Sequence, residues 1–254
     1  MNNISLLLIT KNESKNLAEW GKFLPKLSRI NELIVVDDFS SDNTREILRK
    51  FSSKKLSVHV FKRNLNQNFS AQRNAGLKKC QNDWVFFLDA DEIPTPKTIN
   101  YLNNLETRNG YNYSFKRDVL YLGHTISHGQ CLRDYSIRLF NKNEGKFVNH
   151  VHEIWQSCSA TIYTHQKLLH YSIKSLSSFL KKINIYSTIR SQRLFQKKHH
   201  SNLFEIIFYP LFKFINLYFL KFAFLDGVPG LIFSLSFSLN SFLVRAKLWH
   251  LQQK

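Results

Sequence analysis

Two carboxylates, Asp89 and Asp91, are separated by one alanine and follow directly after the apolar run from Trp84 to Leu88. Acidic side chains at this spacing can converge on one divalent cation, and Mg²⁺ or Mn²⁺ prefers carboxylate and phosphate oxygens. Such a site would suit a nucleotide diphosphate leaving group. A solvated turn with two acids is the alternative, but the preceding buried strand favours the metal site. Glu92 extends this acidic cluster.

A second pair of acids, Asp37 and Asp38, closes the apolar stretch from Glu32 to Val36. A carboxylate there can accept hydrogen bonds from a uracil imide or a ribose hydroxyl. The alternative is an ordinary helix start, where Ser40 and Asp42 would satisfy free N–H groups. Because Asp37 ends an otherwise apolar strand, we expect it to be a ligand rather than a helix-start residue.

Arg73 lies near the start of a helix that is predicted from Ser70 to Cys80. A cation at a helix N-terminus is unfavourable for the helix dipole unless it meets an anion. A diphosphate held at the sheet edge would be that anion. A solvated arginine on a polar face is the alternative.

The middle of the chain supplies candidates for a general base, which a group transfer to a hydroxyl requires. Glu153 follows a strand-like run and lies next to His152, which is its neighbour or a metal ligand. No third residue has the spacing of a zinc ligand set, so a zinc site is not expected. Asp134 is the rival base, and the sequence leaves the choice between Glu153 and Asp134 open.

Strand and helix signals alternate through the first hundred residues, which predicts an α/β fold with a mostly parallel, Rossmann-like sheet. Ligands of such sheets bind beyond the carboxyl ends of the strands, where both acidic pairs fall. The predicted strands are Ile4 to Ile9, Glu32 to Val36, Val58 to Phe61 and Trp84 to Leu88. Between residues 112 and 170 the pattern changes to short strands and loops with many aromatic residues and histidines.

Basic and apolar residues dominate the last hundred residues. The chain of 254 residues has a formal net charge of +18, and Trp155 to Lys254 alone contains 13 Lys and Arg against two acids. A basic amphipathic stretch, Lys174 to His200, precedes two apolar segments, Leu203 to Leu225 and Val228 to Val244. We expect monotopic, partly inserted helices on an anionic membrane surface. Helices that span the bilayer, or that pack as in a soluble protein, remain alternatives.

Three cysteines without CxxC spacing and a start without a signal-peptide pattern predict a reduced, cytoplasmic location, at the inner face of the cell membrane.

Four motifs, in order along the chain, resemble family 2 glycosyltransferases of the GT-A fold. They are Thr10 to Glu13, Val35 to Thr44, Gln72 to Asn74 and Leu88 to Glu92. Four later strings are similar to the lipopolysaccharide-core β-glucosyltransferase branch of that family. These are Asp134 to Phe140, Val151 to Glu153, His170 to Ser172 and Phe224 to Gly230.

The resemblance implies an inverting enzyme with a UDP-sugar donor and Mg²⁺ or Mn²⁺. It implies that Asp91 is the metal ligand, that Asp89 lies near the ribose and donor within the same metal site, and that Glu153 is the base. The residues that it places at the nucleotide are Thr10, Asn12, Glu13, Asp37 and Arg73. Asp38, His152 and Asp134 complete the predicted substrate-binding set. Many relatives have two acids where this chain has His152 and Glu153, and Asp38 varies among them.

We therefore predict a GT-A domain over residues 1–170, with a nucleotide-sugar half (1–110) and an acceptor half (111–170), and a basic helical region over 171–254. The expected acceptor is a lipid-linked saccharide of cell-envelope polysaccharide or lipopolysaccharide-core synthesis. The alternatives are a membrane-surface or nucleic-acid-binding basic protein without transferase activity, and a nucleotidyltransferase. The basic residues lie beside apolar segments, which favours lipid over nucleic acid. A nucleotidyltransferase would normally have a glycine-rich loop after the first strand, where this chain has Thr10 to Glu13.

Overall fold

The computed structural model describes residues 2–66, 68–121, 123–149, 153–173 and 175–253. Its backbone contacts form two compact units. The first comprises Met1–Arg117 and Tyr135–His170, and the second comprises Asp118–Asp134 and Tyr171–Lys254. Residues 118–134, which the sequence analysis includes in the domain 1–170, are grouped with the second unit. The predicted domains and their functional assignment stay predictions.

Four parallel strands and three helices form the first part of the first unit, as the alternating pattern predicts. The strand order is β3-β2-β1-β4. The strands are β1 (Ile4–Thr10), β2 (Ile30–Asp37), β3 (Ser57–Lys62) and β4 (Trp84–Asp89). The helices are α1 (Ser14–Phe23), α2 (Thr44–Lys50) and α3 (Phe69–Leu77), which ends three residues before the predicted end at Cys80.

Both faces of β1, β2 and β4 are buried, which explains their mostly apolar sequence, whereas the residues of β3 are exposed or half-buried. Because successive side chains of a strand point to opposite faces, Leu6 and Leu8 pack in one core cluster and Leu7 packs in another. The first cluster includes Trp20 of α1 and Leu48 of α2. Packing on both faces fixes the strands, so the carboxyl ends of β1, β2 and β4 lie at one edge of the sheet.

The sheet continues with antiparallel strands, in the order β4-β8-β6-β11-β5. Two of these strands are longer than the short strands predicted for this region, because aromatic and β-branched residues continue without a turn signal. The elements are β5 (Glu92–Pro94), α4 (Pro96–Asn104), β6 (Tyr111–Tyr121), β8 (Tyr135–Asn141) and β11 (Ala160–Ile173). Strands β9 (Gly145–Val148) and β10 (Ile154–Ser157) form a separate antiparallel pair.

Three long helices make up most of the second unit, which also contains strand β7 (His124–Ile126). They are α5 (Leu176–Gln196), α6 (Leu203–Ile215) and α7 (Gly227–Gln252). Ser175 and Ser178 form a reciprocal capping box at the start of α5. The core of the unit includes Tyr121, Phe179 and Phe233, and the rings of Phe179 and Phe233 stack with their centroids 5.7 Å apart. The predicted C-terminal helical region is therefore present.

Two stretches of this unit, Leu203–Leu220 and Ala223–Gln252, are long and apolar enough to cross a membrane, by length and composition alone. In their most apolar windows, 11% and 28% of the residues are buried. A core helix of a soluble protein would be mostly buried. These helices instead expose much of their apolar surface.

Candidate active site

The turn that contains Asp89 and Asp91 begins where β4 ends, and two neighbouring side chains fix it. The buried indole of Trp20 donates a hydrogen bond from Nε1 to the carbonyl oxygen of Ala90, at 3.1 Å. The backbone N–H of Asp89 donates to Glu92 Oε2 at 3.2 Å. These contacts hold the backbone of the turn, so the two aspartates are presented from a fixed frame.

Two buried arginines bind the carboxylate of Asp89. Arg73 Nη2 lies 3.2 Å from Oδ1, and Arg138 Nη2 lies 2.8 Å from Oδ2. Burial would raise the pKa of Asp89, but the charges of Arg138, Arg73 and Arg117 outweigh it and lower the pKa. Asp89 is therefore ionised, with both of its oxygens engaged by arginines.

Arg138 is a site residue that the sequence analysis missed. It lies on β8 with its side chain 3% exposed, and its Nη2 is 2.5 Å from Oε1 of the fully buried Glu92. Arg117 Nη1 reaches the same Glu92 oxygen at 3.6 Å. Burial lowers the pKa of Arg138, but Glu92 and Asp89 raise it further than burial lowers it. A cation between apolar neighbours in a predicted strand, as in Ile137-Arg138-Leu139, was the signal that could have found it.

Arg73 also joins the acidic turn to Glu153, because its Nη2 lies 2.5 Å from Glu153 Oε1. The guanidinium group stacks over the ring of Phe87, 4.2 Å from the centroid, which fixes its plane. Arg73 thus meets carboxylates of the protein itself near the start of α3. The sequence predicts that Arg73 meets a bound diphosphate; in the structure Asp89 and Glu153 are the anions that contact it.

The segment that leads to Glu153 is tied to α3. The amide of Asn74 makes two hydrogen bonds with the backbone of Phe147 in β9, donating to its carbonyl at 2.8 Å and accepting from its N–H at 2.9 Å. Ser70 Oγ donates to the carbonyl of Asn149 at 2.5 Å. Helix α3 therefore positions both Arg73 and the chain before Glu153. His152 lies outside the described residues.

Asp91 has a histidine partner that the sequence analysis did not name as a site residue. His170 Nε2 lies 3.1 Å from Asp91 Oδ2, and His170 pairs with Glu92 in the register of β11 and β5. Burial lowers the pKa of His170, but the hydrogen bond and charge of Asp91 raise it above its usual value. Within the described residues, no three His, Cys, Asp or Glu side chains come close enough to hold a metal ion by themselves.

The carboxyl ends of β1 and β2 form a second polar group, in which Thr10 is the register partner of Asp37. Asp37 is fully buried, and its Oδ2 accepts the N–H of Ser40 at 3.1 Å and lies 3.8 Å from Arg45 Nε. These contacts close the turn that follows β2, whereas α2 begins only at Thr44, so the role of Asp37 as a nucleotide ligand stays a prediction.

Both carboxylate oxygens of Asp38 are bound by the chain, one by the loop after β1 and one by the segment after β3. Its Oδ2 lies 2.7 Å from Lys11 Nζ, and its Oδ1 accepts the N–H of Leu65 at 3.0 Å. Burial raises the pKa of Asp38, but the hydrogen bonds from Lys11 and Leu65 and the charge of Lys11 produce a net lowering.

The loop after β1 is held in place by the segment that precedes α2. Asn12 adopts a positive φ of 55°, donates its N–H to Ser40 Oγ at 2.9 Å and accepts the N–H of Ser41 at 2.8 Å. The N–H of Glu13 donates to Thr44 Oγ1 at 2.8 Å. The predicted nucleotide residues of the two loops thus share one hydrogen-bond network.

The sequence also singles out the rival base, Asp134, and the three cysteines. Asp134 belongs to the second unit, where its N–H donates to the carbonyl of Cys131 at 3.2 Å. All three cysteines are free, and burial raises the pKa of the Cys80 and Cys131 thiols to about 12. Thiols with such a pKa are unreactive at neutral pH.

Several known proteins are similar to this chain. An uncharacterized glycosyltransferase of Rickettsia typhi is 27% identical, over the whole of this chain and 89% of its own length. The lipopolysaccharide core biosynthesis glycosyltransferase LpsC of Rhizobium meliloti is 24% identical, over 97% of this chain and 92% of its own. Among solved structures, S. aureus TarS 1-349 in complex with UDP is 16% identical with a TM-score of 0.45, covering 99% of this chain and 91% of that one.

The sequence profile described as glycosyl transferase family 2 matches residues 5–204, which is most of the chain. The match includes both strand-end acidic pairs, Arg73 and Glu153. Together with the parallel sheet and its helices, it confirms the predicted GT-A fold class. This match also excludes the two alternatives. These were a basic binding protein without transferase activity and a nucleotidyltransferase. The chain belongs to glycosyl transferase family 2.

Proposed function

We propose that this glycosyltransferase moves a sugar, with inversion, from a UDP-sugar to a lipid-linked saccharide acceptor, with the help of Mg²⁺ or Mn²⁺. The observation that carries the proposal is the bridge formed by Arg73, whose Nη2 contacts both Asp89 and Glu153. One guanidinium group thereby joins the acidic turn that would receive the donor to the carboxylate that would activate the acceptor.

The residues around Asp91 fit a divalent cation. Asp89 has both oxygens engaged by arginines, whereas Asp91 is partly exposed and is bound at Oδ2 by His170. Asp91 would hold the metal with His170 beside it, and Asp89 would orient the arginines. A single carboxylate is sufficient for Mg²⁺ or Mn²⁺ when substrate phosphates and water provide the remaining ligands. The ion would neutralise charge that develops on the departing diphosphate.

Glu153 is our choice of general base. Its side chain is 14% exposed and contacts Arg73 Nη2, so its carboxylate has a defined orientation within the first unit. An inverting transfer needs one carboxylate to accept the proton of the attacking hydroxyl while that hydroxyl bonds to the anomeric carbon. Asp134 is the rival candidate.

The nucleotide would bind at the carboxyl ends of β1 and β2. We assign the contacts to Thr10, Asn12, Glu13, Asp37 and Asp38, the predicted residues that lie at this edge. Ligands of open α/β sheets bind beyond the carboxyl ends of strands, which supports this placement. The acidic turn at the end of β4 lies on a neighbour of β1, where the diphosphate would follow.

A lipid-linked acceptor is supported by two features. The relative LpsC is described as an enzyme of lipopolysaccharide core biosynthesis. The second unit presents exposed apolar helices together with basic residues, a composition that binds anionic membrane surfaces. We accordingly place the enzyme at the cytoplasmic face of the membrane, as a peripheral or monotopic protein.

The proposal is tested by measuring UDP release from a panel of UDP-sugars, with Mg²⁺, with Mn²⁺ and with a chelator. We expect metal-dependent release that the Asp91→Asn substitution lowers by at least about a hundredfold. The matched control is Glu19→Gln, which neutralises an acid of α1 that is paired with Lys22 at the surface. Full activity in the chelator, or in Asp91→Asn, would contradict the mechanism.

A further inference from the structure

A cavity of about 510 Å³ within the second unit contains three cationic side chains. One comes from each long helix: Arg190 from α5, Lys213 from α6 and Arg245 from α7. None of the residues described as lining the cavity is acidic. None of the proposed catalytic residues lines this cavity.

The cations of the cavity outnumber the acids that act on them. The side-chain partner of Lys213 is the neutral Gln130, whose Oε1 lies 3.3 Å from Nζ. Burial lowers the pKa of Lys213, and the charges of Lys221 and Arg190 lower it further. Glu205 is an acid whose charge acts on Arg245, and its Oε2 also lies 3.3 Å from His199 Nε2. The cavity therefore carries excess positive charge, which an anion would balance.

Two polar atoms of the cavity are left without a hydrogen bond within the described structure. Arg245 Nε and Asn240 Oδ1 are both buried and have no partner. The guanidinium group of Arg245 lies over the ring of Tyr209, with Cζ 3.9 Å from the centroid, so its plane is fixed. Unmade hydrogen bonds of buried groups are costly, and both atoms belong to residues that line the cavity.

Part of the cavity wall is formed by aromatic side chains of α6 that are also exposed. Phe212 is 58% exposed and Tyr209 is 43% exposed, and both line the cavity. A ligand bound here would therefore meet both cations and partly exposed aromatic side chains. This combination is characteristic of an amphiphile at a membrane surface.

We propose that this cavity binds a phosphate group that belongs to a lipid headgroup. Phosphate oxygens match the fork of an arginine and the ammonium of a lysine, and a headgroup hydroxyl could donate to Asn240. The exposed aromatic side chains would contact the first part of the acyl chains. The site would hold the second unit on a phospholipid surface in a defined orientation.

Partition of the full chain into vesicles tests the proposal. Vesicles of digalactosyldiacylglycerol, a neutral lipid without phosphate, receive either phosphatidylglycerol or cholesteryl hemisuccinate, a carboxylate lipid, adjusted to equal surface potential. We expect the wild-type protein to prefer the phosphatidylglycerol vesicles by about tenfold. The paired substitutions Arg190→Met and Lys213→Met should abolish this preference. The control pair Lys181→Met and Arg193→Met, which removes two exposed charges of α5, should weaken binding to both vesicles equally and keep the preference.

Arg245→Lys keeps the charge and removes the arginine fork, and it should lower the preference without loss of the far-ultraviolet circular dichroism signal. Equal binding of the wild-type protein to both vesicles would overturn the proposal. An equal loss of preference in the control pair would overturn it as well. Stabilisation by inorganic phosphate that depends on Arg190 and Lys213, without a vesicle preference, would assign the site to free phosphate and refute the lipid source.

Discussion

In the first compact unit, buried arginines meet buried or half-buried carboxylates, as Arg73 does with Asp89 and Glu153. In the second unit, cations line a cavity without a carboxylate among its described lining residues. The second unit also exposes more apolar surface than the first. Among the described residues, 24 of the 31 exposed large hydrophobic side chains belong to it. The buried arginines of the first unit are thus paired with carboxylates of the same unit. The cavity cations and the exposed apolar side chains of the second unit would instead be matched by partners from outside.

This difference matches two physical tasks. Catalysis requires charged groups that are held before the substrate arrives, because preorganised groups need no rearrangement during the reaction. Attachment to a surface instead requires groups whose counter-charges and apolar contacts are supplied from outside. Substitutions in the two units should therefore affect different measurements.

The largest expected effect concerns the proposed base. Glu153→Gln keeps the shape of the side chain but removes its ability to accept a proton, so we expect kcat to fall by between about a hundredfold and ten-thousandfold. Vesicle binding should not change, because that property is assigned to the second unit. UDP release and transfer in single-turnover assays measure the loss. If Asp134→Asn abolishes transfer while Glu153→Gln does not, the base is Asp134.

The second prediction concerns the stability of the charged cluster in the first unit. Arg138→Met would leave the buried Glu92 with the hydrogen bond from the Asp89 N–H and the longer contact to Arg117, at 3.6 Å, and breaking a buried pair costs about 3–5 kcal/mol. Urea denaturation would measure the lost free energy of unfolding. Arg108→Met, at an exposed position of the same unit, should change it by less than about 0.5 kcal/mol.

A companion variant sharpens this result. Adding Glu92→Leu to Arg138→Met removes the charge that was left without its main partner, so part of the stability should return. No recovery in the double variant would show that Arg138 acts through packing rather than through charge compensation.

The third prediction concerns the apolar surface of the second unit. Phe204→Ser combined with Leu211→Ser removes two exposed apolar side chains of α6, and vesicle binding should weaken by about tenfold or more. Flotation with vesicles measures this binding. The matched pair Ile162→Ser and Tyr163→Ser removes exposed apolar side chains of the first unit and should leave binding within about twofold. Equal loss in both pairs would contradict the division between the units.

The smallest expected effect is a pH dependence at the loop network. Hydrogen bonds from Thr44 and Ser14 outweigh burial and lower the pKa of Asp42 to about 2. Because the unfolded value is about 3.9, the contribution to stability is complete above about pH 5 and is lost as the pH falls from 4 to 2. Asp42→Asn should therefore lower the Tm by a few degrees at pH 7 and by almost nothing near pH 2. A constant difference at both pH values would contradict this explanation.

The sequence predicted most of the first hundred residues because their signals are local. Apolar runs mark the strands, and helical periodicity marks Leu17 and Trp20 on α1. Family motifs then selected Asp89, Asp91, Arg73 and Glu153, three of which the structure links through Arg73 itself.

Arg138 and His170 were missed for a different reason. Both lie on antiparallel strands, and their partners Asp89, Glu92 and Asp91 are 46 to 79 residues away in sequence. No local periodicity encodes such pairings. The cavity of the second unit was equally hidden, because Arg190, Lys213 and Arg245 come from three helices whose packing the sequence pattern does not specify.

The hydrogen bond from Trp20 to Ala90 makes an optical reporter out of the acidic turn. The Trp20 indole is fully buried and donates a hydrogen bond to this carbonyl. The wavelength of its fluorescence therefore depends on the length of that hydrogen bond and on the polarity around the ring. Binding of a cation or a nucleotide that moves the turn would shift the fluorescence of this tryptophan. The chain has four tryptophans, so Trp20→Phe would isolate its signal by subtraction. Occupancy of the donor site could then be followed without a labelled sugar.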